Sequence, residues 1–231
     1  MSSGARSYSS ESRAEMQPPP VPEDARRVSV ASRRVSRWLD GFADRHGGLS
    51  TAAFADQVVV TAADGSVAWI KVPFLPWESD SPRPLTSLQL HLNRPRRVGV
   101  LLVRRGGYAA GVFQGTELVS SKVGSAYVQG TTKAGGWSQQ RYARRRSNQA
   151  KAAFDEAAEV AVRILVPETA ALDALICGGD KAAVDAALSD PRLAVLLPLR
   201  TPPFLPVPDP RLRVLKATPE QFLVVDLAIH P

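Results

Sequence analysis

Val98-Gly99-Val100-Leu101-Leu102-Val103-Arg104-Arg105-Gly106-Gly107-Tyr108-Ala109-Ala110-Gly111-Val112-Phe113 is the stretch from which the fold is read. Two apolar runs flank a basic, glycine-containing turn at 104–107. Neither run alternates with polar residues, so both are read as strands covered on two faces. Gly115-Thr116 turns the chain into a third run, Leu118 to Lys122. Downstream, helical spacing extends from Gln139 to Val166, with Tyr142, Phe154, Ala158, Ala161 and Leu165 marking the buried stripe and Pro167 ending it. Ala174 to Cys177 is then a short apolar strand, Gly178-Gly179-Asp180 a turn, and Lys181 to Leu188 a helix closed by Asp190-Pro191. Strands that precede a long helix and a late strand-turn-helix unit indicate a mixed fold, α+β or α/β.

Upstream, apolar positions Val28, Ala31, Val35, Trp38, Leu39 and Phe42 predict one helix from about Asp24 to His46, stopped by Gly47-Gly48. Its arginines, Arg26, Arg27, Arg33, Arg34 and Arg37, form either a solvated face or an RNA grip. Gln57 to Thr61 and Ser66 to Val72 read as a hairpin joined at Ala63-Asp64-Gly65, and Pro73 to Pro84 as a loop. A Pro-rich link spans Pro198 to Pro210 and leads into Arg211 to Leu215. Near the C-terminus, Thr218-Pro219-Glu220-Gln221 has the form of a capping box, whereas Val224-Val225 favours a strand over Phe222 to Ile229. The sequence is therefore read as a disordered tail over residues 1–23 and one domain over 24–231.

The chain carries 29 Lys and Arg against 22 Asp and Glu, a net charge of +7. Between Arg94 and Lys151 the balance is far more extreme, with twelve Lys and Arg and a single acid, Glu117. A field of one sign so concentrated suits a nucleic-acid backbone, because each cation set against a phosphate releases a condensed counterion. One cysteine, Cys177, excludes an internal disulfide and a Cys-based zinc site. No apolar run reaches the roughly 20 residues a membrane helix needs. The expectation is a cytosolic monomer with no membrane partner. His46, His91 and His230 are too scattered to suggest shared metal ligation, and no cofactor is expected.

Within the basic segment stands Lys133-Ala134-Gly135-Gly136-Trp137-Ser138-Gln139-Gln140-Arg141-Tyr142-Ala143-Arg144-Arg145-Arg146. Its Gly-Gly-x-Ser-x-x-Arg-aromatic-Ala-Arg-x-Arg pattern resembles the loop and following helix of the catalytic domain of archaeal and eukaryotic class I release factors. In those proteins a Gly-Gly-Gln tripeptide lets water cleave the peptidyl-tRNA ester. Here Trp137 stands where that glutamine aligns, and the frame Gly136-Trp137-Ser138-Gln139 is similar instead to the Vms-like release factors, which free nascent chains from tRNA on stalled large ribosomal subunits. Together with Val98 to Gly107 and Asn148-Gln149-Ala150, the string is similar to the actinobacterial branch of that family. The resemblance implies a ribonuclease-H-like mixed sheet flanked by helices. It also implies, as partners, the large ribosomal subunit with its peptidyl transferase centre and rRNA, and peptidyl-tRNA as substrate.

Residue chemistry agrees with that implication. Between Tyr127 and Ala150 there is no Asp, Glu, His or Cys, so the segment holds no ordinary general base, nucleophile or metal set. It must act by positioning. A neutral amide such as Gln139 both donates and accepts hydrogen bonds and can hold a water in line with an activated ester. Gly135 and Gly136 permit close backbone approach. Lys133, Arg141, Arg144, Arg145 and Arg146 would neutralise phosphates, and Trp137 and Ser138 would contact RNA, the indole by stacking on a base. Gln129, Gln140 and Gln149 compete with Gln139 but fit the glycine spacing less well. Two other readings stay open: a non-catalytic rRNA-binding factor, and an endonuclease that clips the tRNA acceptor end.

Overall fold

The structure, a computed structural model, describes residues 17–125 and 138–231, with side chains from Ala152 onward in the second stretch. The chain divides into two compact units, Met1–Arg94 with Leu223–Pro231, and Pro95–Phe222. The first unit is drawn from both ends of the chain, and the second from the sequence between them. The fold is mixed α+β, with two sheets and six α-helices among the described residues.

In the first unit, β1 (Arg26–Ala31), β2 (Leu49–Ala53), β3 (Gln57–Ala62), β4 (Val67–Lys71) and β9 (Val224–His230) form an antiparallel sheet in the order β1-β9-β4-β3-β2. Helices α1 (Val35–His46) and α2 (Pro84–Asn93) contribute Val35, Leu39, Phe42, Leu88 and Leu92 to a core shared with Val58, Val60, Ile70, Val225 and Leu227. The opposite face holds a smaller cluster of Phe54, Val59, Trp69 and Ala228, where Trp69 Nε1 donates to the Pro19 carbonyl at 3.0 Å.

Several expectations are met here and others corrected. The hairpin over 57–72 is β3–β4, and its Gly65 has a φ of 96°. The single helix over 24–46 is not found. Only Val35–His46 is α-helical, preceded by a 3₁₀ turn at Ser32–Arg34, while Arg26–Ala31 is strand. Val28 and Val30 alternate with exposed neighbours and pair with Leu227 and Val225 of β9, a partner that local periodicity cannot reveal. Tertiary pairing overrides the helical reading. The loop from Pro73 is anchored by buried Trp77, whose Nε1 donates to the Phe54 carbonyl at 3.0 Å.

The second unit builds a mixed sheet from β5 (Arg97–Arg104), β6 (Gly107–Gln114), β7 (Glu117–Gly124) and β8 (Ala174–Gly179), in the order β7-β6-β5-β8. β5, β6 and β7 are antiparallel neighbours, and β8 runs parallel to β5. Helix α3 (Ser138–Leu165) crosses between β7 and β8, and α4 (Lys181–Leu188) follows β8. Ala157, Ala161, Leu165, Val184 and Leu188 from these helices cover Leu101, Val103, Val112, Leu175 and Cys177 on one face. The other face is covered by the chain from Leu205 onward: Leu215 of α5 (Leu212–Lys216) lies over Gly111, and Phe222 of α6 (Pro219–Phe222) meets Phe113 with ring centroids 5.9 Å apart. Cover on both faces is why these strands read as unbroken apolar runs. The expected cap of α4 is present, since Asp180 Oδ1 accepts the Ala183 N–H at 3.2 Å. Both C-terminal signals are realised in succession, a one-turn helix at Pro219–Phe222 and then strand β9.

Candidate functional site

Lys133, Gly135, Gly136 and Trp137 lie outside the described residues. The backbone resumes with helix α3 at Ser138, which puts Gln139 in its first turn, as the sequence reading expects. Arg141, Arg144, Arg145 and Arg146 follow in its next turns, and the side chains of these helical positions are likewise outside the described part. The first N–H groups of a helix have no intrahelical partner and, with the aligned peptide dipoles, favour negative charge.

The frame that carries this segment is described in full. β7 delivers the chain at Gly124, and the ring of Tyr108, the cross-strand partner of Gly124, fills the space where a Cβ would stand. A Cβ on Gly107 would lie 2.7 Å from the Gly124 carbonyl oxygen, so the two strands meet here with no side chain between them. From the same ring, Tyr108 Oη donates to Glu156 Oε2 on α3 at 3.0 Å. Burial, followed by the hydrogen bond to Glu156, pushes the Tyr108 phenol above its ordinary value. One side chain therefore joins the start of β6, the end of β7 and the body of α3.

Helix length sets the reach of the site. Eighteen residues separate Ser138 from Glu156, a path of about 27 Å at 1.5 Å per residue. The contact between α3 and the sheet is made by the later part, where Ala153, Ala157, Ala161 and Leu165 are buried. Since Leu165 lies 3.4 Å from the Cβ position of Gly99, near the start of β5, α3 runs antiparallel to β5.

Sequence reasoning missed Tyr108, Gly124 and Glu156, because their association is tertiary. A glycine facing an aromatic across a hairpin was the available signal. Burial raises the Cys177 thiol to about 11, which leaves it a core residue. His46 pairs with Asp64 at 2.8 Å and His91 Nε2 lies 2.8 Å from the Pro73 carbonyl. Among the described residues, no three His, Cys, Asp or Glu side chains are grouped as a metal site. No described helix is long and apolar enough to cross a membrane. A groove of about 510 Å³ in the first unit is lined by Arg27, Gln57, Trp69, Lys71 and Asp226, none of them a predicted site residue.

The family model described as Actinobacteria/chloroflexi VLRF1 release factor matches residues 96–228. Among solved structures, the archaeal translation termination factor aRF1 is similar at 19% identity, over 70% of this chain and 49% of that chain, with a TM-score of 0.41. A second structure, titled only as an archaeal protein, is 19% identical over 82% of this chain and 55% of that one, with a TM-score of 0.37. The chain spans about half the length of each. No curated protein matches it.

Proposed function

Because this chain belongs to the Actinobacteria/chloroflexi VLRF1 release factor family, we propose that it hydrolyses the ester of peptidyl-tRNA on stalled large ribosomal subunits, acting in the cytosol as a monomer. The observation that carries this reading is the composition of the segment inside the matched region. Gly135-Gly136-Trp137-Ser138-Gln139 is followed by Arg141 and Arg144-Arg145-Arg146, with no acid, histidine or cysteine from Tyr127 to Ala150. Such a segment has no carboxylate, imidazole or thiol to serve as general base or nucleophile. It can place a water.

Gln139 is the residue assigned to that task. Its amide holds water toward the ester carbonyl while the start of α3 offers N–H groups to the oxyanion. Gly135 and Gly136 allow the backbone to approach the terminal nucleotide, Trp137 and Ser138 contact RNA, and Lys133, Arg141, Arg144, Arg145 and Arg146 hold phosphates. In this reading the proton leaves through RNA hydroxyls, because the segment has no carboxylate or imidazole to take it.

The test is release of nascent peptide from peptidyl-tRNA on purified large subunits. Gln139→Ala is expected to slow release by about 10²–10³, the cost of losing one positioned donor, while subunit binding stays within about twofold, well under 1 kcal/mol. Equal release by both proteins sinks the Gln139 assignment. Trp137 favours a second reading, a non-catalytic rRNA-binding factor, because it occupies the position of the release-factor glutamine. That reading expects binding without release from the wild-type protein.

A further inference from the structure

Outside the segment assigned to catalysis, the second unit carries another basic surface, formed by the β5–β6 turn and α5. Arg104 is committed to the fold: its Nη1 donates to the Val207 carbonyl at 2.8 Å and its Nε lies 3.8 Å from Asp209 Oδ1. This holds the turn on the 207–210 strap. A Cβ on Gly106 would lie 2.9 Å from Asp209 Oδ2, and one on Gly107 would lie 3.6 Å from the Pro210 carbonyl oxygen. Arg105 and Arg211 are thereby carried on two touching segments. The next residues of the strap form α5, which turns Leu215 onto Gly111 and leaves Arg211, Arg213 and Lys216 exposed.

Arg105, Arg211, Arg213 and Lys216 make no ion pair or side-chain hydrogen bond among the described residues. The acids on these segments are Asp209, which faces Arg104, and Glu220 of α6. Leu212, between two of the arginines, is 45% exposed. The position matters as much as the charge. A Cβ on Gly107 would lie 2.7 Å from the Gly124 carbonyl oxygen and 3.5 Å from Ser125 Cα, so this surface borders the point where the chain leaves β7 for the candidate catalytic segment.

We propose that Arg105, Arg211, Arg213 and Lys216 form a second RNA-backbone site, which grips phosphodiesters at the root of the catalytic segment while Gln139 works at its far end. The proposal rests on the peptidyl-tRNA reading for its purpose, although the contact itself does not require hydrolysis. Three of the four cations are arginines, whose planar guanidinium presents forked donors to phosphate oxygens. Positive, polar surfaces with an occasional exposed apolar residue are the composition that protein–nucleic acid interfaces cover. Two separated contacts, at the root and along α3, would also fix the direction in which the helix points, which a single patch cannot do.

The experiment measures binding of the full chain across a KCl series to two RNA probes, large ribosomal subunits stripped of tRNA and deacylated tRNA alone. Vesicles containing phosphatidylserine form a third arm. The variant Arg105→Gln/Arg211→Gln/Arg213→Gln/Lys216→Gln is expected to make the log–log salt slope shallower by about 3, at 0.7–0.9 per lost phosphate contact. A charge-matched control outside this surface, Arg45→Gln/Lys71→Gln/Arg83→Gln/Lys181→Gln, is expected to change it by less than about 1. Loss on subunits alone assigns the site to rRNA, and loss on tRNA alone assigns it to the substrate. Equal loss in both variants, no loss in either, or wild-type binding to vesicles in preference to RNA overturns the proposal. Should the fourfold variant lose its far-UV signature, Arg213→Gln alone is expected to lower the slope by about 0.7–0.9, and an unchanged slope rejects the site. Release assays are separate, so a failed Gln139 test leaves this measurement interpretable.

Discussion

The two sheets of this chain solve different problems. In the first unit, the antiparallel sheet lays its main core against α1 and α2 and leaves its other face with a small cluster around Trp69. In the second, β5, β6 and β8 are covered from both sides, by α3 and α4 on one face and by the strap and α5 on the other. The difference is one of slack. A sheet with an open face can shift to accept a change, whereas strands held on both faces transmit it, because packed interiors have few voids to absorb displacement. The second sheet is also the one from which the candidate catalytic segment departs. A site that acts by positioning gains from such a base.

The largest expected effect tests that contrast with two glycines. Gly179 ends β8 with a φ of 101°, and a Cβ there would run into the Val103 carbonyl oxygen, whose lone pair already accepts the Asp180 N–H at 2.8 Å. Gly48, between α1 and β2, has nothing within 4 Å of its Cβ position. Gly179→Ala is expected to cost about 3–4 kcal/mol, from backbone strain plus displacement of a neighbouring strand. Gly48→Ala should stay within about 0.5 kcal/mol of the parent. Urea midpoints of the two variants measure the difference, and similar midpoints would mean that the second sheet has the slack denied to it here.

How far the sequence could be read follows the same division. β5, β6, β7, α3, β8 and α4 were legible because each announces itself locally: apolar runs, a 3.6-residue stripe, and an Asp180 cap. The first unit hid more. β1 depends on β9, almost two hundred residues away, and its arginines made a helical wheel look plausible. β2, Leu49-Ser50-Thr51-Ala52-Ala53, consists mostly of small residues, and α2 begins at Pro84 directly after a proline-rich loop. For the candidate site, residue types disclosed what chemistry is excluded and which glutamine follows the glycines. The Tyr108–Gly124–Glu156 contact and the basic surface at α5 were invisible, since both arise from segments brought together only by the sheet.

A smaller effect probes how tightly the candidate catalytic segment is rooted. Tyr108→Phe keeps the ring over Gly124 and removes the donor to Glu156. With Glu156 exposed, the stability cost is expected near the ordinary value for one hydrogen bond, about 0.5–1.5 kcal/mol. The pH dependence identifies the cause. The folded phenol ionises above its ordinary value of 10.0, so its contribution is complete below that pH and is lost as the pH rises through the folded value. The variant should therefore lose less stability than the parent above pH 10, measured by urea midpoint at a series of alkaline pH values. Parallel curves would show that the hydroxyl does not brace this junction.

The smallest expected effect lies in the first unit and runs the opposite way with pH. Asp64 sits in the β3–β4 turn, where Oδ1 accepts the Ser66 N–H at 2.9 Å and Oδ2 lies 2.8 Å from His46 Nδ1. The Ser66 backbone bond, and after it the His46 contact, lower the carboxyl from 3.8 to about 2. Its contribution is therefore present above pH 3.8 and is lost as the pH falls through about 2. Asp64→Asn should start slightly below the parent at neutral pH and meet it near pH 2, because protonation removes from the parent what the substitution has already removed. Because the carboxyl is about half exposed, solvent screens the interaction, and the gap should be narrower than the one produced at Tyr108. A gap that persists undiminished at pH 2 would show that the ionised carboxylate of Asp64 is not the source of the difference.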